Sequence, residues 1–222
     1  RELEKLGAAA VGALAEAAVG ADSEVRGRAL GILMSPELSA SADARADVRR
    51  TLAKLQSSPD HEQRLRARAT LARIREAAAA AAATELSRLG AVLMPVQGGP
   101  AGSYNVQIGA NWLGGHEPLS MLAELGDVPW LSLESAPLDD RAIPHLAHLG
   151  ADGSGPSKLF LGNTRISGAR LAALAPLTKL QYLSLKQLAV TDEQLAALPE
   201  FPQLQYLGLD ATRISDEALV SV

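Results

Sequence analysis

His145 and His148 stand three residues apart in an Ala/Leu-rich stretch, with Asp139 and Asp140 just before it. Imidazole and carboxylate on one helical face are the donor types a divalent metal takes. Two histidines in such a helix more often sit on a solvated face, so neither a metal nor another cofactor is expected. His61 and His116 have no partner that spacing identifies. A second cluster is basic: Arg64, Arg66, Arg68, Arg73 and Arg75, with Arg49 and Arg50 nearby. Arg64, Arg68 and Arg75 share a helical face and could track a phosphate backbone. The plainer alternative is a solvated face pairing with Glu62 and Glu76. No aromatic residue occurs in the first 90 positions, which argues against stacking on single-stranded or flipped bases.

Catalytic signatures are missing. The chain holds no phosphate loop, no GxSxG elbow, no HExxH and no cysteine. Gly98-Gly99-Pro100 reads as a hairpin turn, because no strand leading into a helix N-terminus surrounds it. A non-enzymatic protein is therefore expected.

The elements that must position any site fall into two halves with different periods. Residues 1–90 carry 14 Lys/Arg against 12 Asp/Glu, and the remainder 7 against 13, so the net charge of −4 conceals a change of sign. Neither excess is strong enough to imply nucleic acid or anionic membrane. No apolar run reaches the roughly 18 residues a membrane helix needs. The absence of cysteine leaves the compartment open. The chain begins at Arg1, which suggests a piece of a longer protein, and with it a regulatory fragment of a signalling protein or enzyme as one further reading.

Helices are expected throughout the first half, punctuated by Gly7, Gly20, Ser35-Pro36 and Ser57-Ser58-Pro59. One runs from about Ala8 to Ala18. A second, capped by Asp22-Ser23, runs from Glu24 to Met34 with Val25, Ala29, Ile32 and Leu33 on its core face. From Pro59 the pattern continues to Leu89 through seven alanines, Ala77 to Ala83, as one long helix. The segment at Val25-Arg26 recurs at Leu65-Arg66, each after a turn containing Asp22 or Asp60. With Leu3-Glu-Lys-Leu6-Gly7 and Ala10-Val11-Gly-Ala-Leu14, this wording resembles the HEAT repeat family over residues 1–75.

At Ala91 the period becomes two. Val92, Met94 and Val96, the turn Gly98–Gly102, and Tyr104, Val106 and Ile108 read as a β-hairpin, with Pro95 making the first strand an edge. Leucine pairs then recur: Val106/Ile108, Leu131/Leu133, Leu159/Leu161, Leu183/Leu185 and Leu207/Leu209, at spacings of 25, 28, 24 and 24. A polar insertion, Ala151–Gly155, accounts for the 28. Helix starts follow at Thr191-Asp-Glu and Ser215-Asp-Glu. Gly168 replaces the Asp of that start in one unit, so that start lacks the acidic residue.

The string Leu180-Gln-Tyr-Leu183-Ser-Leu185, Val190-Thr-Asp192, Leu195-Ala-Ala-Leu198, with its echo from Leu204 to Leu219, resembles a leucine-rich repeat of the ribonuclease-inhibitor-like kind. That resemblance implies an α/β solenoid, with parallel strands on a concave face and helices on the convex face, preceded by an all-α helical-hairpin domain. The expected domains are helical hairpins over 1–58, a connecting helix over 59–90, and the repeats over 91–222 with the hairpin as cap. Members of the family mostly bind proteins.

Alternate strand residues face opposite sides, so those flanking the leucines form columns on the concave face. One reads Asn105, Trp130, Lys158, Tyr182, Tyr206. Another reads Gln107, Ser132, Phe160, Ser184, Gly208, and a third Gly109, Glu134, Gly162, Lys186, Asp210. Four of the chain's seven aromatics fall there. Trp130, Lys158, Phe160, Tyr182, Lys186, Tyr206 and Asp210 are therefore the candidate partner-binding residues, the partner being a protein or peptide. Rings beside strand leucines can also do no more than cover aliphatic neighbours. A nucleic-acid module built on Arg64–Arg75 is the alternative.

Overall fold

The computed structural model describes residues 7–33, 42–151 and 153–216. It shows a helical region followed by a six-stranded, mostly parallel sheet whose strands are joined by short helices, an α/β arrangement. The chain separates into two compact units, Arg1–Ala78 and Ala79–Val222.

In the first unit, α1 (Gly7–Ala17) packs against both α2 (Ser23–Leu33) and α3 (Ala42–Leu55). A fourth helix, α4 (His61–Arg88), begins here. Ala15, Ala18, Val19, Leu30, Leu33, Val48, Leu52, Ala67 and Leu71 form the core. The expected core face of α2 is corrected. Ala29, Leu30 and Leu33 are buried, whereas Val25 and Ile32 are 51% and 37% exposed. Leu30 takes the place assigned to the flanking pair, so the buried edge of the helix is narrower than the one the period outlines.

The two Asp turns are chemically alike. Asp22 Oδ1 accepts the Glu24 and Val25 N–H groups, and Asp60 Oδ1 those of Glu62 and Gln63. Arg26 reaches back to the Gly20 and Ala21 carbonyls as Arg64 does to those of Ser58 and Pro59. Each segment adds an i,i+4 pair, Glu24–Arg28 and Glu62–Arg66. The hydrogen bonds thus recur at 38 residues, Asp22 matching Asp60, two residues out of step with the match of Val25 to Leu65.

The second unit opens on the last turns of α4. Ala79, Ala82 and Leu86 are buried there, with Ala82 and Leu86 in one core with Val106, Ile108 and Trp112. The small side chains matter. A Cβ added to Gly102, at φ +80°, would lie 2.8 Å from the Ala79 Cβ. β1 (Val92–Pro95) pairs antiparallel with β2 (Tyr104–Gln107). Then β3 (Trp130–Ser132), β4 (Lys158–Phe160), β5 (Tyr182–Ser184) and β6 (Tyr206–Gly208) add in parallel, in chain order. The register aligns Val106, Leu131, Leu159, Leu183 and Leu207, the positions the leucine spacing aligns.

Each strand hands the same bonds to the next. The N–H groups of Leu133, Leu161 and Leu185 donate to the carbonyls of Phe160, Ser184 and Gly208. Ser135, Asn163 and Gln187 donate to Gly162, Lys186 and Asp210. Just past the strands, Ser135, Asn163, Gln187 and Ala211 all have positive φ, between 52° and 62°. Leu131, Leu133, Leu159, Leu161, Leu183 and Leu185 are fully buried beneath the sheet.

The connections are mostly 3₁₀, at Glu117–Glu124, Asp140–Ala142 and Gly168–Leu174, with short α-helices α5 (Ile143–His148) and α6 (Asp192–Ala196). Segments this short gain little from α geometry, and the tighter 3₁₀ turn spans more length per residue. The helix expected from Ser215 to Leu219 lies mostly outside the described residues, as do Leu3–Leu6, Met34 and Asp152.

Candidate functional site

The side of the sheet away from the buried leucines carries two rows. One reads Met94, Asn105, Trp130, Lys158, Tyr182, Tyr206 and the other Val92, Gln107, Ser132, Phe160, Ser184, Gly208. Their sizes are complementary. Where the first row holds a ring, on β3, β5 and β6, the second holds Ser or Gly; where it holds Lys158, the second holds Phe160. The aromatic line crosses from one row to the other at β4 and back at β5. Trp130 and Phe160 ring centroids lie 5.5 Å apart, Phe160 and Tyr182 4.8 Å, and Tyr182 and Tyr206 4.2 Å. The first two contacts are tilted by 53° and 30°, and the last is stacked at 8°.

Each such pair adds about 0.5–1.5 kcal/mol beyond the area it buries. The interior ring faces are thus occupied by one another, and the ladder presents ring edges, hydroxyls and its two end rings. Ser132 and Ser184 are 2% and 1% exposed. Gly208 keeps the last step open: a Cβ there would stand 3.2 Å from Tyr206 Cε1 and 3.3 Å from Lys186 Cε.

Beyond the rings, Lys186 Nζ lies 2.7 Å from Asp210 Oδ2. The Asp210 carboxylate holds the ammonium above its ordinary range, and the ammonium holds the carboxyl below its own. Partial desolvation, and then the neighbouring Tyr206, push the Tyr182 phenol up. Lys158 is exposed at the foot of the face and lines a groove with Met94, Asn105, Pro129, Trp130 and Ser157. Of the seven candidate residues, Trp130, Phe160, Tyr182 and Tyr206 form the ladder, Lys186 and Asp210 an ion pair beside it, and Lys158 stands apart in the groove.

Sequence reasoning missed Val92 and Met94 as part of this face. They are 53% and 41% exposed and place apolar side chains at the sheet edge, separated from Trp130 by the polar Asn105 and Gln107 of β2. Their period-two spacing marks them as one face of a strand, but only the antiparallel pairing with Gln107 and Asn105 settles which. Trp112 belongs elsewhere. It is buried, its Nε1 donates to the Gly115 carbonyl at 2.7 Å, and it covers Gly114, where a Cβ would run into the ring.

Asp139, Asp140 and His116 are bound up in structure, whereas His148 is exposed. Asp139 caps its 3₁₀ turn by accepting the Arg141 N–H and takes the Arg141 guanidinium on both oxygens, which holds its carboxyl far below the usual range. His116 Nε2 stands 3.0 Å from Asp139 Oδ1, a pairing 23 residues away that no spacing rule suggests. Asp140 accepts both the N–H and the hydroxyl of Ser167. Among the described residues, no three or more His, Asp or Glu side chains come together to hold an ion.

Arg64 is turned onto the Ser58 and Pro59 carbonyls, and Arg66 onto Gly20 and Glu62, so neither faces outward as a free cation. Arg68, Arg73 and Arg75 are exposed. No helix among the described residues is long and apolar enough to cross a membrane. Compared with known proteins, the chain matches no family model and no curated protein.

Proposed function

We propose that residues 91–222 are a short leucine-rich-repeat solenoid that binds a protein or peptide on its concave sheet face, without catalysis, and that residues 1–75 are a HEAT-like helical segment. The observation that carries the reading is the line Trp130, Phe160, Tyr182, Tyr206, which runs unbroken across the four consecutive strands β3 to β6 on one face, with Val92 and Met94 on β1 beyond the polar Asn105 and Gln107 of β2. Tyr206, at its end, is 43% exposed. Scattered surface hydrophobics need no explanation, but a continuous row of large ones on a single face is the usual mark of an interaction site. Rings fixed by their neighbours also lose little entropy when a partner covers them, which favours binding per unit area.

The test is peptide selection on the immobilised chain, followed by counter-measurement on Trp130→Ala and Tyr206→Ala. Selected peptides should lose about tenfold or more in affinity on both variants, which is the cost of removing an interface anchor. Circular dichroism melts must show both variants folded. Equal binding to wild type and to folded variants would sink the proposal.

A further inference from the structure

The groove at the β1 end of this face is built from donors and an apolar wall, with no acid. It is an open groove of about 360 Å³ between Met94, Asn105, Pro129, Trp130, Ser157 and Lys158. Ser157 is already committed, its hydroxyl donating to the Pro129 carbonyl at 2.9 Å. Among the described residues, the Lys158 ammonium, the Asn105 amide and the Trp130 indole N–H have no hydrogen-bond or ion-pair partner within the chain. The other lysine of the face, Lys186, is neutralised by Asp210. Lys158 is thus the cation this face leaves to a ligand, and it stands on the strand next to Trp130, in register with it.

We infer that the groove takes an acidic side chain, Asp or Glu, from an extended segment of a partner protein that carries an apolar residue two positions away. The inference rests on the reading of this face as a protein- or peptide-binding surface and adds the chemistry of the segment. A carboxylate meets Lys158 and the two neutral donors. The indole and the Met94 thioether offer a polarisable surface to an aliphatic side chain. In an extended chain, residues i and i+2 point the same way about 7 Å apart, so both can face the sheet at once. A basic residue in the acidic position would instead meet an ammonium with no carboxylate in the lining to answer it.

The probes are three fluorescein-labelled peptides with a Glu-Ser-Leu, Gln-Ser-Leu or Lys-Ser-Leu core in Gly/Ser flanks, titrated with the full chain and read by anisotropy. The wild type should prefer the Glu peptide over the Lys peptide by about fivefold, the scale of an exposed ion pair. Lys158→Glu should invert that preference, and Lys158→Gln should remove it. Both variants change an exposed side chain, and their melting curves will show that they fold.

An unchanged preference in Lys158→Glu overturns the inference, as does the absence of saturable binding of the Glu peptide at millimolar concentration. Peptides selected on the face that lose affinity in Tyr206→Ala yet ignore residue 158 would leave the binding face standing and remove this assignment alone.

Discussion

Tyr182 and Tyr206 lie face to face, 4.2 Å between ring centroids and 8° from parallel, on the last two strands of the sheet. The stack covers Tyr182 from one side while Phe160 covers it from the other. Its phenol is therefore held above the ordinary value near 10, by partial desolvation first and by Tyr206 second. The sign follows. Above the unfolded value the unfolded chain releases this proton more readily than the folded one, so stability falls as pH rises from 10 through the folded value. Urea melts should show a falling midpoint across that window, and Tyr182→Phe should flatten it. An identical slope in Tyr182→Phe would show that the phenol is not responsible.

The ring line exacts a polar cost beneath it. The Ser184 hydroxyl is buried with no hydrogen-bond partner among the described residues, between Phe160 on β4 and Gly208 on β6. An unsatisfied buried hydroxyl costs about 1–3 kcal/mol. Ser184→Ala keeps the volume and removes that cost, so it should raise stability by about 1 kcal/mol, read as an increase in urea midpoint at constant slope. Ser184→Val should lower it, because a larger side chain would lift Phe160 or Tyr182 from its neighbours.

The order and direction of the strands follow from leucine spacing, since a period of about 25 residues leaves room for one strand and one return, and buried pairs fix which side faces in. The seven face residues were legible for the same reason, as were the identities of the three columns from β2 onward. What escaped was geometry that depends on neighbours in space. The aromatic line changes rows at Phe160, and its size complementarity with Ser132, Ser184 and Gly208 shows only once the rows lie side by side. Val25 and Ile32 fit the helical period of α2, yet period cannot say how wide a face the neighbouring elements cover. The pairing of His116 with Asp139 joins two connections that share no pattern.

Four residues in equivalent places, Ser135, Asn163, Gln187 and Ala211, adopt left-handed backbone conformations. Asparagine tolerates that region, but for the other three it costs about 1–2 kcal/mol relative to glycine. Glycine returns roughly half of that as unfolded-chain entropy. Gln187→Gly and Ala211→Gly should each gain about 0.5–1 kcal/mol, or roughly 1–4 °C in Tm for a chain of this size. Asn163→Gly should change little by comparison and serves as the control. A loss of stability in all three would mean that these side chains contribute more than their backbone strain subtracts.

Asp140 and Asp192 each grip the next connection in the same way, one carboxylate oxygen accepting the N–H and the other the hydroxyl of Ser167 or Ser215. Gly168 stands at the corresponding place between them, seven residues past Leu161 as Asp192 is past Leu185. Here the clasp is replaced. Gln194 lies over Gly168, where a Cβ would run into its Oε1, and that oxygen accepts the Thr191 N–H at 3.2 Å. Thr191 is the counterpart of Ser167 and Ser215, so the same N–H is satisfied from its own helix and not from the preceding connection. Gly168→Asp alone should destabilise by about 1–3 kcal/mol through overpacking against Gln194. Gln194→Ala alone should cost about 1 kcal/mol by stranding the Thr191 N–H. The double variant should recover most of both losses, because the new carboxylate has room and a donor pair waiting in Thr191. Urea melts of the four proteins give the coupling directly, and a favourable interaction of about 1 kcal/mol or more is expected. Simple additivity would show that Gly168 and Gln194 are not two halves of one substitution for the clasp.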